Sequence, residues 1–100
     1  MTKARFDTII HAPNRLQICA FLSSLQEAEF QVIRDELNVS DSVLSKHLKQ
    51  LEEAGYIQSR KSAVAGRQRM WSSLTKTGRK ALASHIEELK RLAGMVNDKL

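Results

Sequence analysis

The feature that most constrains the fold is a very short connection, "LNVSD", between two amphipathic helices. The first of them, Glu27–Leu37, places its apolar side chains at helical spacing. Asn38 tolerates the left-handed conformation that ends a helix, and Ser40 is a good N-cap for the next one. Val39 and Leu44 occupy the positions of a hydrophobic staple around that cap. A gap of about three residues predicts two helices held at a sharp angle: helix, tight turn, helix.

The second helix, Ser40 to Ala54, has two different faces. Leu44, Leu48 and Leu51 recur at the spacing that buries one side of a helix. An ordinary surface helix mixes both charge signs on its exposed side, whereas the middle of this side has no acid until Glu53. It carries lysines, hydroxyls and an amide instead, namely Ser42, Ser45, Lys46, Lys49 and Gln50.

Further elements are predicted on both sides of this pair. A short amphipathic helix ends before Pro13, and the segment "PNRLQICAFLSSL" is apolar nearly all round, as is typical of a central buried helix. After the second helix, "YIQSRK" and "RMWSSL" are predicted as the strands of a hairpin. Their connection, "SAVAGRQ", is interpreted as a loop longer than two residues. A long helix capped by Thr75 or Thr77 then runs to the C-terminus.

The net charge of +5 is distributed unevenly along the chain. Residues 55–80 contain seven basic side chains and no acid, so this segment carries more than the whole net charge. Such a concentration is typical of a surface that binds an anionic partner, and it favours nucleic acid. The seven are Arg60, Lys61, Arg67, Arg69, Lys76, Arg79 and Lys80.

Composition excludes several classes of protein. A chain of 100 residues fits one domain, 1–100, and no apolar run approaches the ~20 residues of a membrane span. The N-terminus has no apolar stretch followed by a small-residue cleavage site, so no signal peptide is expected. The single cysteine, Cys19, cannot close an internal disulfide, which indicates a cytoplasmic location. Its apolar neighbours predict a buried thiol.

Neither a catalytic nor a metal site is expected. The sequence has no phosphate-binding glycine loop, no recognisable carboxylate pair and no nucleophile with a convincing base, so we predict that the chain is not an enzyme. His11, His47 and His85 are far apart on different predicted helices, and we predict no metal and no other cofactor. His47 is interpreted as a packing or phosphate-contacting residue. An effector pocket of the usual ~300 Å³ would have to form between subunits, and the sequence identifies no effector.

The last helix carries a heptad pattern of apolar residues, separated by 4, 3, 4, 3 and 4 positions. Two helices with this spacing pack knobs into holes. The alternative is a helix packed only on its own domain, but a helix of this length outreaches so small a body. We therefore predict a homodimer formed through the terminal helices, about 2–11 and 76–100. The predicted interface consists of Phe6, Ile9, Ile10, Leu82, Ile86, Leu89, Ala93, Val96 and Leu100.

Three motifs in this order resemble the winged helix-turn-helix of small transcription regulators, most closely ArsR-type and MarR-type repressors. "HAPNRLQICAFL" is similar to the proline–X–arginine–leucine–X–isoleucine opening of those families, although Ala12 splits the usual histidine–proline pair. "SDSVLSKHLKQLEEAGYI" is similar to their recognition helix, and "LTKTGRKAL" to the start of their last helix.

The resemblance implies a mainly α fold with a small β-hairpin wing, and a partner in double-stranded DNA. In those families the second helix enters the major groove, where it would contact bases and phosphates through Ser40, Ser42, Ser45, Lys46, Lys49 and Gln50. The wing would lie along the DNA backbone with Arg60, Lys61, Arg67 and Arg69. The predicted function is a sequence-specific regulator, a repressor, that binds a palindromic operator as a homodimer. The alternative is a winged helix that binds a partner protein with the same surface.

Overall fold

The computed structural model describes residues 5–97, and eight elements follow one another along them. They are α1 (Thr8–His11), α2 (Pro13–Ser23), β1 (Ala28–Glu29), α3 (Phe30–Leu37), α4 (Asp41–Glu53), β2 (Ile57–Val64), β3 (Arg67–Leu74) and α5 (Lys76–Asn97). The strands form one antiparallel sheet in the order β1–β3–β2. The predicted fold class is confirmed, with one strand more than the predicted hairpin. Leu100 and the residues before Arg5 lie outside the described residues.

The core surrounds α2, in agreement with its apolar composition. Pro13 occupies the first turn of α2, where its missing N–H costs nothing. Ile18, Cys19 and Leu22 are completely buried, and burial raises the pKa of the Cys19 thiol to about 12. The cysteine is therefore a packing residue. Every other element contributes apolar side chains to this core, namely Ile10, Ala28, Ile33, Leu44, Leu48, Leu51, Ile57, Leu74 and Leu82.

The helix–turn–helix has the caps that the sequence predicts. Asn38 ends α3 in the left-handed conformation, with φ 54°, and its N–H donates to the Arg34 carbonyl at 2.8 Å. The Ser40 hydroxyl accepts a hydrogen bond from the N–H of Val43 at 3.2 Å and so caps α4. Leu44 is fully buried one turn into α4. Both helix ends are thus satisfied locally, which fixes the angle between the helices.

The predicted start of α3 at Glu27 is wrong. Ala28 and Glu29 are extended and add a short strand to the edge of β3, opposite Ser72 and Trp71. This strand buries Ala28 and pairs backbone groups that a helix would have used. The helix begins at Phe30, and Glu29 is its N-cap residue.

The hairpin between β2 and β3 is tighter than the predicted loop. Val64 pairs with Arg67, so only Ala65 and Gly66 form the turn. Their φ angles are 52° and 78°, the pair of positive values that a type I′ turn requires. Glycine adopts this conformation readily, and Ala65 accepts it at the first position of the turn. Because the turn uses only two residues, both strands are longer than predicted.

The last helix begins at a cap that also joins it to the sheet. The Thr75 hydroxyl accepts from the N–H of Gly78 at 2.9 Å and donates to the Gly55 carbonyl at 2.6 Å. The Thr75 N–H donates to the Tyr56 carbonyl at 3.0 Å. Thr75 is therefore the cap, and Thr77 is not.

The two halves of α5 have different surroundings. Its first half packs on the core through Leu82 and His85, while its second half extends beyond the domain. The radius of gyration is 15.1 Å, against about 13 Å for a compact domain of this size. No helix among residues 5–97 has the length and apolar character needed to cross a membrane.

Two residues of the predicted dimer interface are corrected by this packing. Ile10 is completely buried and Leu82 is 8% exposed, both within one protomer. Their apolar spacing is real, but the side chains fill the domain's own core and leave almost no surface for a partner.

Candidate nucleic-acid interface

The outward face of α4 is polar and open. Leu44, Leu48 and Leu51 are buried on the opposite side, which fixes the rotation of the helix about its axis. The four residues that remain exposed on the polar face are Ser42, Ser45, Lys46 and Lys49. Ser40 lies at the helix N-terminus, where its hydroxyl caps the helix and lies 3.2 Å from that of Ser42.

Gln50 is turned away from this open face, towards α2. Its side-chain carbonyl accepts a hydrogen bond from Arg15 at 2.6 Å, and the same guanidinium nitrogen lies 3.4 Å from His47 Nδ1. The other ring nitrogen of His47 lies 3.3 Å from the amide nitrogen of Asn14. Burial lowers the pKa of His47, with a further contribution from the Arg15 charge. His47 is therefore a packing residue between α2 and α4, and Gln50 is engaged before any DNA arrives.

Two of the four predicted wing cations are paired with acids of the same chain. Arg60 donates from Nε and from one terminal nitrogen to the two carboxylate oxygens of Glu27, and its guanidinium stacks over Trp71 at 5.5 Å. The Arg60 guanidinium holds the pKa of Glu27 below its usual range. Arg69 forms an ion pair with Glu29 at the edge of the sheet. Lys61 and Arg67 are exposed, and neither forms an ion pair within residues 5–97.

A third cation of the basic segment has a structural role. Arg79 donates to the carbonyl of Ser23, the last residue of α2, at 2.9 Å and to that of Leu25 just beyond it at 3.2 Å. A cation in this position satisfies carbonyls that the helix leaves unpaired. Counting charges along the sequence therefore overstates the free positive charge of the segment.

A cleft of about 490 Å³ separates the helix–turn–helix from the wing. Ser45 lines it from α4 and Arg67 from β3, so the structure brings a predicted groove-reading residue and a predicted backbone contact to one opening. Glu29 and Arg69 lie in the wall between them. The other residues that line the cleft are Phe30, Gln31, Arg34, Asp41, Gln68 and Met70.

Two of the three histidines meet at the junction of α1 and α5, although 74 positions separate them in sequence. His11 Nδ1 lies 3.0 Å from His85 Nε2, and His85 Nδ1 accepts the N–H of Asp7 at 2.9 Å. His85 is completely buried. Burial, followed by the charge of His11, lowers its pKa. Within residues 5–97 no three His, Cys, Asp or Glu side chains are arranged to hold a metal ion.

The end of α5 exposes a row of apolar side chains. Val96 is 61% and Met95 57% exposed, and Leu92 and Ala93 are also exposed. Leu89 and Ile86 are half-buried towards the domain. The heptad pattern identified Leu89, Ala93 and Val96 but missed Leu92 and Met95, which flank the same face of the protruding helix. Phe6 and Ile9, near the N-terminus, are partly exposed as well.

Comparison with known proteins agrees with this geometry. Residues 14–93 match the family model described as a winged helix DNA-binding domain. An uncharacterized protein of Methanocaldococcus jannaschii is 35% identical over 85 residues, which cover 85% of this chain and 92% of that protein. A transcriptional regulator homologue from Pyrococcus horikoshii superposes with a TM-score of 0.82 at 27% identity, over 88% of this chain and 87% of that one.

A more distant structure shows the same fold. A PadR family transcriptional regulator from Eggerthella lenta superposes with a TM-score of 0.69 at 18% identity, over 82% of this chain and 79% of that one. The match of the family model to most of the chain, together with α4, the cleft and the wing, identifies the protein as a winged-helix regulator. The chain belongs to the winged helix DNA-binding domain family.

Proposed function

We propose that this DNA-binding regulator is a sequence-specific repressor that binds a palindromic operator as a homodimer. The observation that carries the proposal is the cleft that joins the exposed polar face of α4 to Arg67 of the wing. A duplex that inserts its major groove over α4 brings its backbone to the tip of the hairpin. The proposal includes no catalytic step and no cofactor.

The polar residues of this surface divide by role. Ser45, Lys46 and Lys49 lie in the middle of α4, where a recognition helix enters the groove most deeply, and we assign base contacts to them. Lys61 and Arg67 are the wing cations that form no ion pair within residues 5–97, and we assign phosphate contacts to them. A cytoplasmic location is part of the proposal, since a lone buried cysteine suits a reducing compartment.

The dimer is proposed to form through the protruding half of α5. Leu92, Met95 and Val96 expose apolar surface there that a second copy of the helix would cover. A two-fold axis along this seam would present two α4 helices to successive major grooves, ~34 Å apart. Occupation of such a site within a promoter excludes other proteins, which is the mechanism proposed for repression.

The division of roles is tested by two alanine variants measured on operator and random DNA across a salt series. Lys49→Ala should weaken operator binding by ~1–3 kcal/mol and relax base preference at one position of each half-site. Arg67→Ala should weaken binding to both DNAs and lower the log–log salt slope by ~0.9 for each protomer on the DNA. Lys90→Ala is the matched control, because it also removes one positive charge, but from α5 and away from the cleft. An Arg67→Ala slope equal to that of the control would contradict the assignment of the wing.

The competing function is a winged helix that binds a partner protein. The internal pairing of Arg60, Arg69 and Arg79 favours it, because a surface with fewer free cations holds DNA less strongly. If the protein does not bind DNA even at low salt, this alternative is supported over the proposal.

A further inference from the structure

The ion pair between Glu29 and Arg69 lies in the wall of the cleft that DNA would enter. Glu29 stands opposite Trp71 in the β1–β3 ladder, and Arg69 is two residues along the same face of β3, within diagonal reach. The side chain of Glu29 is 18% exposed and that of Arg69 32%. Strand pairing on one side and the start of α3 on the other fix the backbone of Glu29.

Glu29 satisfies only part of the arginine. Only one terminal nitrogen of Arg69 bonds to Glu29, and its Nε is buried without a hydrogen-bond partner within residues 5–97. Arg60 differs, because Glu27 accepts from two of its nitrogens and Trp71 covers its guanidinium. Arg69 is therefore held by its acid through fewer hydrogen bonds than Arg60, which makes it the paired wing cation with less to lose when it exchanges partner.

We propose that Glu29 competes with DNA phosphate for Arg69 and so limits the affinity of the protein for any duplex. The inference rests on the proposed DNA-binding function and adds an intramolecular competitor to it. While Glu29 holds Arg69, the wing offers one phosphate contact fewer to any duplex, whatever its sequence. Base contacts from α4 are unaffected by this pair, so the competition weakens operator and random DNA by the same factor and leaves the ratio of their affinities unchanged.

The magnitude follows from counterion release. Each phosphate contact contributes about 0.9 to the slope of log affinity against log salt, and its contribution vanishes near 1 M. Freeing Arg69 should therefore tighten random-DNA binding about eightfold at 0.1 M salt for each protomer on the DNA. Operator binding should gain the same factor, because the freed contact is made to a phosphate and not to a base.

The test compares Glu29→Gln with Glu36→Gln on random-sequence duplex DNA by fluorescence anisotropy across a salt series. Both variants remove one negative charge, but Glu36 is exposed on α3 and forms no ion pair in the described part of the chain. Glu29→Gln should tighten binding about eightfold at 0.1 M salt and steepen the slope by about 0.9 per protomer. Glu36→Gln should change the affinity and the slope by much less, since it changes only the net charge, and salt screens the long-range effect of that charge.

A double variant separates a freed Arg69 from a general change in charge or fold. In Glu29→Gln, the further change Arg69→Ala should return the slope to the wild-type value, whereas Arg69→Ala alone should alter it little. Equal slopes for Glu29→Gln and Glu36→Gln, with wild-type DNA binding intact, would overturn the competition and leave the proposed function standing. Loss of all salt-dependent DNA binding in the wild-type protein would instead overturn the proposed function itself.

Discussion

Replacement of Gly78 by alanine should destabilise the protein, although alanine is the better helix former. Gly78 lies in the first turn of α5, buried against the end of the sheet. A Cβ at this position would lie 2.0 Å from the Tyr56 carbonyl oxygen, 2.8 Å from its carbonyl carbon and 3.0 Å from its Cα. These are backbone atoms, so no side chain can rotate to make room.

Relief of this clash requires α5 to move by more than an ångström away from Tyr56. That carbonyl accepts the N–H of Thr75, and the Thr75 hydroxyl in turn bonds to Gly55, so the move strains two hydrogen bonds worth about 1 kcal/mol each. Overpacking adds about 1–3 kcal/mol, while the better helix propensity of alanine returns about 1 kcal/mol. The net loss in the free energy of unfolding should be about 2 kcal/mol or more, which lowers Tm by roughly 8–16 °C.

The control is Gly94→Ala in the same helix, where nothing lies within 4 Å of the added Cβ. This change should raise the stability by about 0.5–1 kcal/mol. Thermal unfolding of both variants, followed by circular dichroism at one protein concentration, measures the opposite signs. A Gly78→Ala variant as stable as the wild-type protein would refute the close approach of α5 to Tyr56.

Three further predictions concern the dimer, the buried histidine and the cysteine. Val96→Glu should convert the proposed dimer to monomers at low micromolar concentration, since an interface does not tolerate an unpaired charge. Light scattering measures the oligomeric state, and a variant that is still dimeric would exclude this seam. Burial lowers the pKa of His85 in the folded protein. As the pH falls, the same imidazole is therefore protonated first in the unfolded chain, near pH 6.5. The free energy of unfolding, measured with urea, should decrease from pH 7.5 to 5.5. His85→Asn, which keeps an acceptor for the Asp7 N–H, should show a shallower fall, and an unchanged pH dependence would argue against a buried neutral imidazole. Native Cys19 should not react with a thiol reagent at pH 8 until the protein is unfolded, and rapid labelling without denaturant would contradict its burial.

The parts of the fold that sequence predicts well are those determined by neighbouring residues. Asn38, Ser40 and Thr75 each act within three or four positions of the helix end that they cap. Leu44, Leu48 and Leu51 fix the buried face of α4 by their spacing, and the exposed face follows from it. Local signals therefore determine the helix–turn–helix and the exposure of Ser42, Ser45, Lys46 and Lys49 on it.

The parts that sequence missed depend on contacts between distant segments. β1 forms because β3 offers an unpaired edge, which the sequence around Ala28 does not reveal. The Glu29–Arg69 pair joins residues 40 positions apart, and the His11–His85 contact joins residues 74 apart. A charge sum over consecutive residues treats every arginine as free, and only the folded chain distinguishes Arg67 from Arg69.

The exposed heptad was also only partly predictable. Leu82 and Val96 belong to the same heptad pattern, yet Leu82 is in the core and Val96 is 61% exposed. Spacing identifies a face of a helix, but not the point along the helix where the domain that covers this face ends.

The most direct test of the central claim is selection of bound duplexes from a random-sequence DNA pool by the wild-type protein at 0.15 M salt. A dimer that reads the major groove with two α4 helices should enrich a palindrome whose half-site centres lie one helical turn, about 10 base pairs, apart. Lys49→Ala, selected in parallel, should lose preference at one position of each half-site while the palindrome persists. A pool without any enriched sequence, recovered under conditions where the protein is folded, would contradict the account.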